Sequence, residues 1–396
     1  MTQGALTEIN APDDWGWERL WSAAPRVQLV GQPDAEPLSV FLQAGVVPRS
    51  SRRDNHNQLG EDLSKYQVVR PGDLVFNKLR TWQGGLGVSN HHGIVSPAYF
   101  VCHPRTDWHP HYLHYLLLSN PYLAELTRLS KFMPPSQFDI PWEMLRTLPL
   151  LHPPLDEQRR IADFLDAETA RIDQLMNGQL RMLDLLEERA NARILELIGR
   201  SLLAKKDGSP TVPLRRVIKK LNRPTIPTDE IVTAFRDGQV TSRNARRSEG
   251  YTNAASTEPQ GQGIEIGDIV IHGLDGFAGA IGDSEALGNG SSVYHVCRPM
   301  DGGNSAFYGR LLRLLALDDY LALFGASARE RAVDFRNWQI FGHAPIPQIE
   351  PAAQHEIGHL ITKIRPLREE VRRFNEHLAE RRQALITAAV TGGISV

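Results

Sequence analysis

The stretch Pro153-Pro154-Leu155-Asp156-Glu157-Gln158-Arg159-Arg160-Ile161 opens a run to Gly199 that contains no further proline. Prolines precede the first turn, where a missing N–H costs nothing, and Asp156 and Glu157 fall where carboxylates suit the positive end of a helix dipole. Apolar residues then recur at helical spacing through Phe164, Leu165, Ile172, Leu175, Met176, Leu183 and Ile194. They fill more than one narrow stripe, so the helix expected over 153–199 needs neighbours on two sides. At about 1.5 Å per residue it would span roughly 65 Å, the dimension of a spacer.

Working outward, the same signal returns from Pro351 to Gly392. There Ile357, Leu360, Ile364, Leu367, Val371, Phe374, Leu378 and Leu385 step by threes and fours, apart from one seven-residue step. That is a coiled-coil seam whose evident partner is the first helix. Pro366 lies inside it and should kink or restart the helix.

The segments in front of the two helices repeat each other. Gly72-Asp73-Leu74-Val75 matches Gly267-Asp268-Ile269-Val270 at an offset of 195, and the same offset carries Gly84, Gly87, Gly93, Ser96, Tyr99, Val101, Cys102 and Pro104 onto equal residues. One residue of slippage later, Trp142, Pro149, Gln158 and Ile161 match Trp338, Pro345, Gln354 and Ile357. The chain is a tandem duplication whose unit, a whole domain followed by a long helix, is too long for a solenoid repeat. In the first copy, Leu74-Val75-Phe76 and Ala98-Tyr99-Phe100-Val101 read as strands bounded by Pro71-Gly72-Asp73 and Gly84-Gly85-Leu86-Gly87, with a helix from His111 to Leu129. The expected fold is α+β with a pseudo-two-fold internal repeat: residues 1–152, a long helix over 153–199, a linker over 200–212, a second domain over 213–350 and a distal helix over 351–396. Trp15, Trp17 and Trp21 mark an N-terminal arm that should dock through its tryptophans.

Composition bounds the function. At 396 residues, with 41% hydrophobic and 23% charged content, the chain can bury real cores. Met1 to Asp14 is polar and acidic, without the apolar stretch of a signal peptide, and no run is long enough for a membrane span, so a cytoplasmic protein is expected. Cys102 and Cys297 sit in strand-like apolar runs and read as reduced, buried thiols. A net charge of −2 neither supports nor excludes DNA.

The junction Pro154-Leu155-Asp156-Glu157-Gln158-Arg159-Arg160-Ile161-Ala162-Asp163-Phe164-Leu165-Asp166 and the closing Arg381-Arg382-Gln383-Ala384-Leu385-Ile386-Thr387-Ala388-Ala389-Val390-Thr391-Gly392 resemble the specificity subunit of type I restriction–modification systems, the HsdS family. The resemblance covers essentially the whole chain and is strongest in the two helices. It implies two tandem α/β target-recognition domains separated by two long antiparallel coiled-coil helices, each domain reading one half of a split double-stranded DNA target. It also implies two methyltransferase subunits and, for cleavage, two restriction subunits as partners. The chain itself would be non-catalytic, with S-adenosylmethionine, ATP and Mg on the partners. Two departures bear on how evenly the ends engage their partners: Gln348-Ile349-Glu350-Pro351-Ala352-Ala353-Gln354 lacks the Leu-Asp-Glu of the first junction, and Pro366 interrupts the distal helix.

Three groups are candidate DNA contacts. Arg49, Arg52 and Arg53 recur at an offset of 194 as Arg243, Arg246 and Arg247; guanidinium forks suit phosphates and guanine edges, and the alternative is a solvated loop. Lys78, Arg80 and Gln83 precede a glycine-rich turn and could meet backbone and adenine, although Leu274, Gly276, Phe277 and Ala278 replace most of the polar groups in the second copy. Lys131 and Gln137, with Arg329 and Arg331, form the third; Trp142 and Trp338 nearby read as core anchors. Cys102, His103, His109, His111 and His114 match no zinc-finger spacing, and the second copy keeps only Cys297. The P-loop pattern is absent, Asn120-Pro121-Tyr122 reads as a helix break, and Asp73 with Lys78 reads as a turn into a strand rather than a nuclease set. Two other readings remain: a coiled-coil scaffold that binds only proteins, and a stand-alone nuclease or methyltransferase.

Overall fold

The computed structural model describes residues 4–42, 45–51, 62–133, 137–199, 211–228, 230–246, 261–300, 302–329 and 332–396. They form two compact units, one of residues 1–177 with 374–396 and one of residues 178–373.

Unit 1 is built on an antiparallel sheet of β1 (Arg26–Val27), β2 (Leu74–Asn77), β3 (Leu86–Val88) and β4 (Tyr99–Cys102), in the order β1-β4-β2-β3. Unit 2 repeats it with β5 (Ile218–Lys220), β6 (Ile269–His272), β7 (Ile281–Asp283) and β8 (Tyr294–Pro299), in the order β5-β8-β6-β7. The registers agree: Leu74 faces Cys102 and Val75 faces Val101, as Ile269 faces Cys297 and Val270 faces Val296. The offset read from the sequence is therefore an alignment of hydrogen-bond ladders.

The central strands β2 and β6 are apolar on both faces because both faces are covered. In unit 1, Leu74 and Phe76 point into a core shared with the helices Pro110–Leu118 and Asn120–Leu129. Val75 and Val101 point the other way, under the hairpin Leu38–Phe41/Gly45–Pro48. Unit 2 divides Ile269 and Ile271 from Val270 and Val296 in the same manner. The single helix expected over His111–Leu129 is two, with Ser119 between them and Pro121 in the first turn of the second, so Asn120-Pro121-Tyr122 does mark the break.

Gly72 and Gly267, at φ 91° and 83°, form the tight turn into the central strand, a conformation that favours glycine. The next residue fixes that turn. Asp73 Oδ2 accepts from the Arg70 backbone at 2.7 Å, and Asp268 Oδ2 accepts from the Glu265 backbone at 2.8 Å. Asp73 is buried and its other oxygen is taken by His103 Nδ1 at 2.7 Å, so it is a turn acceptor with no freedom for nuclease chemistry.

The long helices are α1 (Leu155–Ile198) and α2 (Pro351–Val390). Within unit 1, Ile161, Ala162 and Leu165 share a core with Ile386, Ala389 and Val390. Within unit 2, Ala190, Ile194 and Ile198 share one with Ile357, Ile361 and Ile364. Arg193 approaches Glu356 at 3.8 Å while Glu187 pairs with Arg368 at 2.6 Å, so the pairing is antiparallel. The restart expected at Pro366 does not occur. Its ring lies on the exposed side of α2 while Ile364 and Val371 on the packed side stay buried, and that packing outweighs one lost backbone bond.

The N-terminal arm also differs from expectation. Strand Gly16–Arg19 adds to Pro149–His152 through its backbone, and Leu20 is the buried plug, whereas Trp17 and Trp21 are 47% and 51% exposed. Backbone pairing and one leucine dock the arm; of the three tryptophans only Trp15 packs on the core. No helix among the described residues is long and apolar enough to cross a membrane.

Candidate nucleic-acid interface

In unit 1 the second sequence group lies beside the hairpin strands that carry Lys131 and Gln137 of the third. The loop after β2 carries Lys78, Arg80 and Gln83, and the hairpin Lys131–Met133/Gln137–Asp139 lies against it, because Ile140 donates to the Lys78 carbonyl at 3.2 Å. Unit 2 repeats the contact at the same offset, Phe335 donating to the Gly273 carbonyl at 2.8 Å. Trp82 packs on Phe138 at 4.7 Å and Phe138 on Phe132 at 5.2 Å, leaving Phe132 and Leu79 partly in solvent. Arg80, Gln83 and Lys131 are exposed around this apolar ridge. Lys78 is more restrained: its ammonium lies 4.6 Å from the Phe100 ring centre and donates to the Pro97 carbonyl at 3.2 Å.

The first group meets the second around one tyrosine. Tyr99 is largely buried, which pushes its phenol pKa up against a bond to the Val40 backbone, a bond to Ser39 and the pull of Arg49 and Arg80. Tyr294 repeats this arrangement: burial raises its pKa, opposed by the Ala234 backbone and Arg243, while Asp275, in the place of Arg80, pushes the same way as burial. A cation beside the matched tyrosine is thus common to both units, and the second cation belongs to unit 1 alone.

Arg246 is committed elsewhere, paired with Asp237 and lying 4.4 Å over the Phe235 ring. Arg52, Arg53, Arg247 and Arg331 lie outside the described residues. Gln137 and Arg329 occupy hairpin strands opposite Met133 and Ala332. Sequence reading missed Arg26, whose guanidinium lies 4.8 Å from Phe100 and 5.5 Å from Trp142; a two-residue strand leaves no periodicity to find it by. Trp142 and Trp338 are half-buried on the cores, as anchors would be.

Among the described residues one trio of metal-ligand type converges: Glu18, Asp107 and His152. A protein cation already fills it, since Arg105 pairs with Glu18 at 2.7 Å and Asp107 at 2.5 Å. Cys102 is buried in the sheet, where desolvation pushes its thiol pKa far up, and His103 turns out to Asp73.

The junction motif has a mechanical role. Gln158 is fully buried: its Oε1 accepts from the His109 backbone at 2.8 Å, and its Nε2 donates to the Asp107 and Pro153 carbonyls at 3.2 and 2.9 Å. Gln354 does the same in unit 2, accepting from the Asn304 backbone at 3.2 Å and donating to the Ile349 carbonyl at 2.7 Å. Each glutamine locks the start of a long helix to the loop that enters a domain helix.

No protein-family model and no curated protein matches the sequence. Among solved structures, the chain is similar to one described under the assembly and conformational transition of the type I R-M system, at 15% identity, over 97% of this chain and 100% of that one, with a TM-score of 0.61. It also aligns with the HsdS subunit from Thermoanaerobacter tengcongensis, at 17% identity over the full length of both chains with a TM-score of 0.45. A third alignment, to a type I restriction-modification S subunit from M. genitalium, has 14% identity, 96% of each chain and a TM-score of 0.47. The class defined by the fold is a tandem α+β repeat joined by an antiparallel helix pair. That fold is found, end to end, in a protein of a type I restriction–modification system.

Proposed function

We propose that the chain is the non-catalytic DNA-specificity subunit of a cytoplasmic type I restriction–modification complex. The observation that carries this reading is the whole-chain correspondence in fold with the type I R-M chain, reproduced here as two units with matching ladders, each closed by its own stretch of the antiparallel helix pair. Each domain reads one half of a split duplex target, using the surface around Tyr99 or Tyr294 and the adjoining loop and hairpin. The helices set the gap between halves and present exposed leucines such as Leu175, Leu180 and Leu185 to two methyltransferase subunits. Two restriction subunits complete the cleaving complex, and S-adenosylmethionine, ATP and Mg belong to those partners.

Co-expression with the methyltransferase subunit and genome-wide mapping of modified adenines tests the reading. The expected result is one motif of the form half-site, fixed gap, half-site. Unsplit or absent methylation, with no shift of duplex DNA by the complex, would leave a protein-binding scaffold as the better account.

A further inference from the structure

Resting on that reading, we propose that unit 2 carries a DNA phosphate-backbone site that unit 1 lacks, in the cleft along the edge strand β5. The cleft holds about 750 Å³ and is open to solvent, and Arg215, Lys219, Lys220 and Trp338 are among the residues that line it. All three cations are exposed, and among the described residues none has a carboxylate within ion-pair distance. The nearby acids are already taken: Asp268 by Arg223 and Arg298 at 2.5 and 2.6 Å, and Glu265 by Arg298 at 2.8 Å. Uncompensated charge in a concave site keeps its field and concentrates a polyanion. The cations follow one another along β5 and the turn before it instead of converging on a point, which fits a phosphodiester chain better than a single phosphate.

Among the described residues unit 1 has no equivalent. The arm and the turn before β5 hold the same place, since the Trp21 backbone donates to the Arg146 carbonyl at 3.1 Å as the Arg215 backbone donates to Gly342 at 2.9 Å. At that offset of 194, Trp21, Pro25 and Arg26 stand for Arg215, Lys219 and Lys220. Arg26, the one cation among them, is stacked over Phe100 and Trp142. Phosphate contact at this edge strand should therefore add to the salt dependence of binding through unit 2 and not through unit 1.

The test is fluorescence anisotropy of a labelled duplex of about 30 bp with the full chain in its co-purified methyltransferase complex, titrated between about 50 and 200 mM salt. The triple variant R215Q/K219Q/K220Q should bind at least about tenfold more weakly at the low-salt end, with the slope of log K against log salt shallower by about 2 to 3. The loss should be equal for two duplexes of unrelated sequence, because phosphate contacts carry no sequence information. Circular dichroism checks that the variant is folded. A folded triple variant with the wild-type slope would overturn the proposal and leave the lysines as guards of an edge strand. Displacement of the duplex by millimolar inorganic phosphate at constant ionic strength would overturn it in favour of a free-phosphate site. A wild-type complex that binds no duplex at the lowest salt would instead overturn the functional reading itself.

Discussion

Gln158 and Gln354 make the residue-scale argument, since each satisfies buried backbone groups of one connection with one amide. Leucine at 158 would leave the His109 N–H and two carbonyls without partners, and an unsatisfied buried group costs about 1–3 kcal/mol. Gln158→Leu should accordingly lower the unfolding free energy by about that amount in urea titration, and Gln354→Leu should do the same. The histidines above α1 supply a pH signature. Burial, with His111 and Arg382 nearby, drives the pKa of His114 down to about 4, and its Nδ1 is buried without a hydrogen-bond partner. A histidine normally titrates near 6.5, so the folded state binds fewer protons than the unfolded one. Stability from this group is full above about pH 6.5 and is lost as pH falls towards 4. His111 opposes it: the bond to Asp166 raises its pKa, so its contribution is present at low pH and fades as pH rises through the raised value. His114→Leu should flatten the acid limb of the melting temperature measured between about pH 4 and 7; an unchanged limb would mean that other groups set it.

At the scale of elements, Pro366 is an exposed helix-interior proline tolerated by packing on the opposite side. Proline in a helix interior is disfavoured by about 3 kcal/mol relative to alanine. Pro366→Ala should therefore raise the melting temperature without changing far-ultraviolet dichroism beyond a small gain in helix. Helix limits and strand registers were legible in the sequence because both rest on local period and on matched residues: α1 begins two residues after Pro153, and Leu74 to Val75 pairs as the 195 offset requires. The meeting of the Lys78 loop with the hairpin ending at Ile140 was not legible. It depends on one backbone bond between distant residues, and such a contact leaves no periodic trace. The mode of docking of the arm was hidden for a related reason: tryptophan content suggests burial, while the strand ladder that holds Gly16–Arg19 is indifferent to side-chain type.

At the scale of the molecule, the internal repeat makes the proposed halves exchangeable. Replacing residues 213–345 with the matching domain of a relative should change one half of the methylated motif and leave the other half and the gap alone, as read by adenine methylation mapping. Inserting one helical turn after Met176 should lengthen the gap or abolish modification without altering the bases read; the original gap would mean that α1 is a connector only. The two units also differ in how the chain assembles them. Residues 178–373 are contiguous, whereas residues 1–177 require Ile386, Ala389 and Val390 to close their core. On the ribosome, the outer unit must therefore wait with an open hydrophobic seam until residues 374–396 emerge, and the nested unit is free to finish before it. A chain stopped at Arg373 should keep the cooperative unfolding of the nested unit and lose that of the outer one, so quality control of a nascent or clipped chain falls on the half made first.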